Sequence, residues 1–197
     1  GTPAGTETPA DGTATPAEGT ATPAEGTETP SDGTPTPEMA MLRVVHASPN
    51  APEVDVSVDG TTVLENVAFG AVSGYLELAA GTHTVEIAAA GSGTVVFSGD
   101  VTVDAGADYT VVAAGELGEM ADRPFEPLVL SDDNSAPASG NARLRVVHAS
   151  PDAPAVDVTV ASTGDALFDG VAYGESGYVE VPAGDYTVEV RGDTETN

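Results

Sequence analysis

The chain has 197 residues, with 32 acids against 5 bases, a formal charge of −27 and no cysteine. That balance excludes phosphate-backbone binding, which needs Lys or Arg to displace counterions, and docking to anionic lipid headgroups, which recruit basic clusters. Without thiols there is neither a disulfide framework nor a thiolate metal site, and no run approaches the ~20 apolar residues of a membrane helix.

Residues 1–38 use only Gly, Thr, Pro, Ala, Ser, Glu and Asp. From Thr6 to Gly33 they form four seven-residue repeats, TETPADG, TATPAEG, TATPAEG and TETPSDG. No repeat position is a large apolar residue, so the period is not that of a coiled coil. Proline within each repeat and glycine at its end forbid regular helix or strand. The expectation is a disordered, solvated Thr/Pro-rich stalk over residues 1–40, with threonines that suit O-glycans. A chain opening on Gly1 reads as a mature or trimmed product.

Strand signals begin at the end of the stalk. Leu42–Ala47 and Val54–Val58 are β-branched runs separated by the turn-forming SPNAP. Tyr75–Leu78, Thr84–Ile87, Thr94–Phe97, Val101–Val103, Tyr109–Ala113 and Pro127–Leu130 follow, punctuated by Gly81, Gly91, Gly99 and Gly106. No segment carries a 3.6-residue apolar period. Short strands at this spacing predict an immunoglobulin-like antiparallel β-sandwich over residues 41–131. A loop-forming linker, residues 132–142, follows.

The sequence then repeats itself. Leu42–Val58, LRVVHASPNAPEVDVSV, returns as Leu144–Val160, LRVVHASPDAPAVDVTV, with 14 of 17 positions identical. Val67–Ile87 returns more loosely as Val171–Val190. The expected architecture is therefore all-β, with tandem sandwich modules at 41–131 and 143–197. The second has no counterpart of Thr94–Leu130 and is incomplete at its C-terminus. Truncation of the sequence is the expected reason; the alternative is that another element supplies the strands, since soluble sandwiches avoid open edges.

The acidity reads as adaptation to molar salt. There the Debye length falls to about 3 Å, and self-repulsion that would strain the fold in dilute buffer is screened. Intrinsic disorder fits the stalk but not the Val- and Tyr-rich body.

The twice-repeated RVVHASP[ND]AP-x-VDV signature, followed by VAFG or VAYG, then GY and AG-x-(H/Y)-TVE, resembles the domain of unknown function 4397 family over roughly residues 41–197. The resemblance implies secreted or surface-anchored prokaryotic β-sandwich proteins, often tandem, and the acidic version is similar to those of halophilic archaea. It implies neither an activity nor a ligand.

His46, Ser48 and Asp55, repeated as His148, Ser150 and Asp157, are the residue types of a nucleophilic triad. Their spacing argues otherwise, because no Gly-x-Ser-x-Gly elbow or oxyanion loop accompanies them. By alternation His46 shares a face with Leu42 and Val44, and Ser48-Pro49 with Asn50-Ala51-Pro52 reads as side-chain-capped turns. The signature is expected to be structural. His46 with Asp55 supplies two ligands where zinc wants three or four, so calcium, which takes six to eight oxygens, is the better candidate, with Asp132, Asp133 and Asn134 as weak ligands between the modules. Arg191-Gly192-Asp193 matches an adhesion tripeptide and is read as a turn after Val190. Tyr75 and Tyr178, each after Ser-Gly, are read as packed rather than as platforms for sugars.

The functional expectation is a non-catalytic structural or interaction protein of the cell exterior, acting in adhesion or assembly. Its sharper form is a filament subunit completed by strand donation. Protein partners or self-association are expected, with no nucleic acid and no membrane insertion within this segment. A glycan- or small-solute-binding module is the alternative, and a hydrolase using His46 and Asp55 comes last.

Overall fold

The structure, a computed structural model, describes residues 38–193, so the stalk expectation falls almost wholly outside the described residues. These hold thirteen strands and no helix. In the first module the strands are β1 (Met39–His46), β2 (Val54–Val58), β3 (Thr61–Val67), β4 (Leu76–Ala79), β5 (Gly81–Ala89), β6 (Thr94–Val103), β7 (Asp108–Ala114) and β8 (Glu126–Asp132). They form two four-stranded sheets, ordered β4-β1-β7-β8 and β3-β2-β5-β6. Every ladder is antiparallel except β1–β7, which runs parallel, with Leu42 opposite Tyr109 and His46 opposite Ala113.

The core lies between the sheets and follows the period of two. Ala40, Leu42 and Val44 of β1 and Val111 and Ala113 of β7 meet Val54, Val56, Val85, Ile87, Val101 and Val103 from the opposite sheet in one buried cluster. His46 continues the inward row of β1 and is fully buried.

Three details depart from the sequence reading. The strand β3 was not expected, because TTVLENV is mostly exposed and two bulges against β2 break its alternation. Thr94–Phe97 and Val101–Val103 are one strand, since Gly99 pairs with Val85 within β6 instead of turning the chain. The Phe97 ring lies over Gly99, and a Cβ there would meet it at 2.7 Å. Asp132 closes β8 rather than opening the linker.

The second module repeats half of this plan with β9 (Asn141–Val147), β10 (Val156–Val160), β11 (Ala166–Val171), β12 (Ser176–Pro182) and β13 (Val188–Gly192). The pairs β12–β9 and β11-β10-β13 reproduce β4–β1 and β3-β2-β5 in register: Leu144 opposes Val179 as Leu42 opposes Leu76. Among the described residues nothing corresponds to β6, β7 or β8, so both sheets stop at a free edge on the same side. Burial records the consequence. Ile87 is 0% exposed and its counterpart Val190 is 64%; Leu42 is 5% exposed and Leu144 39%.

Candidate functional site: the signature loops and the module junction

Each signature loop is held by its own histidine. His46 donates from Nε2 to the Pro52 carbonyl (2.9 Å), and its Nδ1 accepts the Ser48 amide (3.3 Å). His148 does the same with Pro154 (2.8 Å) and Ser150 (3.3 Å). A proline carbonyl only accepts and a backbone amide only donates, so these partners fix the Nε2–H tautomer in both rings. The side chain spans the SPNAP or SPDAP turn as an internal brace.

The signature aspartates serve a different element. Asp55 Oδ1 accepts the amide of Asn66, and Asp157 Oδ1 that of Gly170, each at 2.8 Å. Asn66 (φ 54) and Gly170 (φ 61) sit in the left-handed region where the next strand bulges. The bulge leaves a ladder amide without its usual partner, and the carboxylate supplies one. Ser48 Oγ donates to the Gly115 carbonyl (2.6 Å), away from the imidazole. The structure thus disperses the three residue types of the triad among three backbone tasks.

Module one also clamps its loop from the β7–β8 connection: Asn50 bonds Leu117 twice, through Nδ2 to the carbonyl (2.9 Å) and Oδ1 to the amide (2.8 Å). Ser150, the counterpart of the buried Ser48, is exposed, because the second module has no such connection among the described residues.

The junction between the modules is where the scarce cations are found. The Asp132 side chain is fully buried and is shared by Arg43 of β1 (3.6 Å) and Arg145 of β9, the same position of the two repeats. Thr110 (2.7 Å) and Tyr75 (2.6 Å) donate to the same carboxylate. Burial pushes this carboxyl up most strongly, but the hydrogen bonds and the two guanidiniums outweigh it and hold it below the ordinary aspartate range. Each arginine also stacks on its own module's tyrosine, Arg43 on Tyr75 (4.9 Å) and Arg145 on Tyr178 (4.8 Å). Arg143 binds Asp133 (2.7 Å) and Glu180 (2.9 Å), and Arg123 of the β7–β8 connection covers the Tyr173 ring (5.1 Å). Four of the five arginines therefore hold the junction.

This geometry places the remaining sequence candidates. The oxygens of Asp132 and Asp133 face arginines and hydroxyls, while Asn134 points its amide at Asp108 (2.6 Å) and Tyr75 (3.2 Å). No group of three His, Cys, Asp or Glu suited to a metal occurs among the described residues. Tyr75 and Tyr178 present their faces to arginine. Arg191-Gly192 does not form the expected turn: both residues continue β13, and the Asp193 amide donates to the Ala155 carbonyl (2.7 Å). The junction was missed in the sequence, although the coincidence of Arg43 with Arg145 and of Tyr75 with Tyr178 in the repeat was its signal.

Between the two signature loops lies a cleft of about 560 Å³. Val45, Pro49 and Phe69 wall it from module one, and Val146, Val158 and Val190 from the uncovered interior of module two. His46 and His148 both border it, edge-on to Phe69 (6.1 Å) and Tyr173 (6.2 Å). The whole of module one and the first strands of the second, residues 40–159, match one family model, the domain of unknown function DUF4397.

The chain belongs to the DUF4397 family. No curated protein matches it. The DUF4397 match ends at Thr159, inside β10, so it takes in both signature loops and Asp132 with Arg43 and Arg145, but not Tyr173, Tyr178 or Glu180.

Proposed function

We propose that this protein is a non-catalytic interaction protein of the cell exterior, built for adhesion or assembly in strong salt. One observation carries the reading: the signature side chains serve backbone hydrogen bonds, while the main cleft is an apolar one beside unfinished sheet edges. Such a surface suits polypeptide, through main-chain bonding and apolar pockets, better than a reaction centre. The charge of −27 favours a halophile's surface, archaeal in the resemblance, where screening relieves self-repulsion. Assembly here includes a filament completed by strand donation.

The test uses the producing organism in its own salt. Antibody should label intact cells, and beads coated with the protein should adhere to them or to one another. Labelling confined to lysed cells would overturn the reading. So would turnover of an ester or glycoside that disappears in the His46→Ala/His148→Ala double variant.

A further inference from the structure

We propose that His83 is a proton-operated latch: as an imidazolium it ties the β2–β3 turn to the end of β4, and on losing a ring proton it lets go of that turn while keeping β4.

The geometry separates this histidine from the other two. Its Nδ1 lies 2.7 Å from Asp59 Oδ2 and its Nε2 lies 2.7 Å from the Ala79 carbonyl oxygen. A carboxylate and a carbonyl only accept, so both ring nitrogens carry hydrogen and the ring is charged. His46 and His148 each face one carbonyl and one amide, which a neutral ring satisfies. The latch also joins the two layers of the sandwich. Ala79 ends β4 in the sheet β4-β1-β7-β8, whereas Asp59 turns the chain from β2 to β3 in the other sheet. The next amide, that of Ala80, donates to the Glu38 carbonyl (2.8 Å), so the latch sits where the chain enters β1.

The second repeat holds the same site without the ionic arm. Backbone bonds fix the equivalence. Asp59 and Ala161 each donate an amide to the threonine carbonyl opposite, Thr84 (2.9 Å) and Thr187 (2.8 Å). Ala80 and Ala183 each donate to the residue before the first strand of their module, Glu38 and Gly140. In that frame Tyr186 stands for His83, Pro182 for Ala79 and Ala161 for Asp59. Tyr186 Oη donates to the Pro182 carbonyl (2.8 Å), which reproduces the bond to β4. Alanine in the acid's place leaves no second arm, and a single hydroxyl donor completes the site. The acid and the histidine are thus exchanged together, and of the two rings only histidine changes charge near neutrality.

Proton loss acts on one arm. A neutral imidazole has a single N–H to offer two acceptors. The Ala79 bond is part-buried, so its carbonyl would be left without a partner, whereas the Asp59 side chain is 57% exposed and recovers water. The remaining proton therefore stays on Nε2, and the bare Nδ1 then faces a carboxylate oxygen, which it repels. The turn concerned is tight, with Asp59 (φ 50) and Gly60 (φ 77) both left-handed. It anchors β3, an edge strand with two bulges against β2. Among the described residues Asp59 is the only charged group that shifts the ring, and its hydrogen bond is the main cause of the rise above 6.5. From β6 the residue opposite His83 is Val101, and Asp100 is engaged by Thr84 Oγ1 (2.9 Å). From β4 the ring meets the Ala79 carbonyl, while Glu77 is exposed.

The test is amide hydrogen exchange of the 197-residue chain in molar KCl, from about pH 5 to about pH 9, each rate divided by its intrinsic value at that pH. Protection at residues 59–64 should fall about tenfold as pH rises, with the midpoint of the His83 titration, while protection at the counterpart, residues 161–166, holds. Asp59→Ala with His83→Tyr, the pair found in the second repeat, should abolish the step. A flat profile at 59–64, or a step that survives in the paired variant, overturns the proposal. So does an equal step at 161–166, which reports opening of the whole fold rather than of the latch. If the paired variant fails to fold, the two segments of the unaltered chain still decide.

Discussion

Arg145 and Asp132 pair across the boundary between the modules, one from the first strand of the second repeat and the other from the last strand of the first. The carboxylate is fully buried and also serves Arg43, the equivalent residue of the first repeat. In a chain with so few cations, this is where a buried acid could be matched.

Removing that acid leaves two partly buried guanidiniums facing each other. Asp132→Ala should therefore cost about 3–5 kcal/mol, the usual range when one partner of a buried pair is deleted. Asp133→Ala, whose side chain is 53% exposed, should cost less than about 1 kcal/mol. Urea unfolding of both variants in molar salt checks the contrast. Because the Asp132 pKa lies below its unfolded value, this contribution is present above the ordinary aspartate range and is lost only as pH falls through the depressed value.

The equivalent positions Ile87 and Val190 should respond differently to the same truncation. Ile87→Ala should destabilise by about 3 kcal/mol and Val190→Ala by less than about 0.5 kcal/mol. Equal losses would mean that the second module's interior is covered in solution.

His46→Ala removes the brace of the first loop, both the bond to Pro52 and the acceptor for Ser48, and leaves a cavity. A loss of about 2–4 kcal/mol is expected from thermal or urea unfolding.

His83 reports on pH. Its ring bonds Asp59 (2.7 Å) and the Ala79 carbonyl (2.7 Å), and these partners, Asp59 first, raise it above the ordinary histidine value of 6.5. Asp59 is lowered in turn, chiefly by its hydrogen bond to His83. The histidine's contribution is complete below its unfolded value and disappears as pH rises through the raised one. The aspartate's is present above the ordinary 3.8 and disappears as pH falls through the lowered one. Together they favour the fold most between the ordinary aspartate value of 3.8 and the ordinary histidine value of 6.5. An NMR titration should place His83 above 6.5, and Asp59→Asn should return it toward that value.

Salt should matter to the whole molecule. Lowering it from molar to about 0.1 M lengthens the screening distance from about 3 to about 10 Å and exposes the net charge to itself. The melting temperature should fall. An unchanged value would assign the acidity some other role.

The sequence alone determined the all-β class, the likeness of repeat to repeat and the face that His46 shares with Leu42 and Val44; it read that histidine as half-buried, and the structure buries it fully. Those properties depend on local alternation, which a strand's period of two writes directly into the residue order. Comparing the repeat with itself also showed that residues 143–197 carry counterparts of β1–β5 alone. The sequence did not determine that Gly99 lies within a strand, that Asp55 caps a bulge eleven residues away, or that Asp132, read as a weak cation ligand, faces two arginines. Each of these depends on which segments meet in space, and a residue's charge does not say which partner the fold will bring to it.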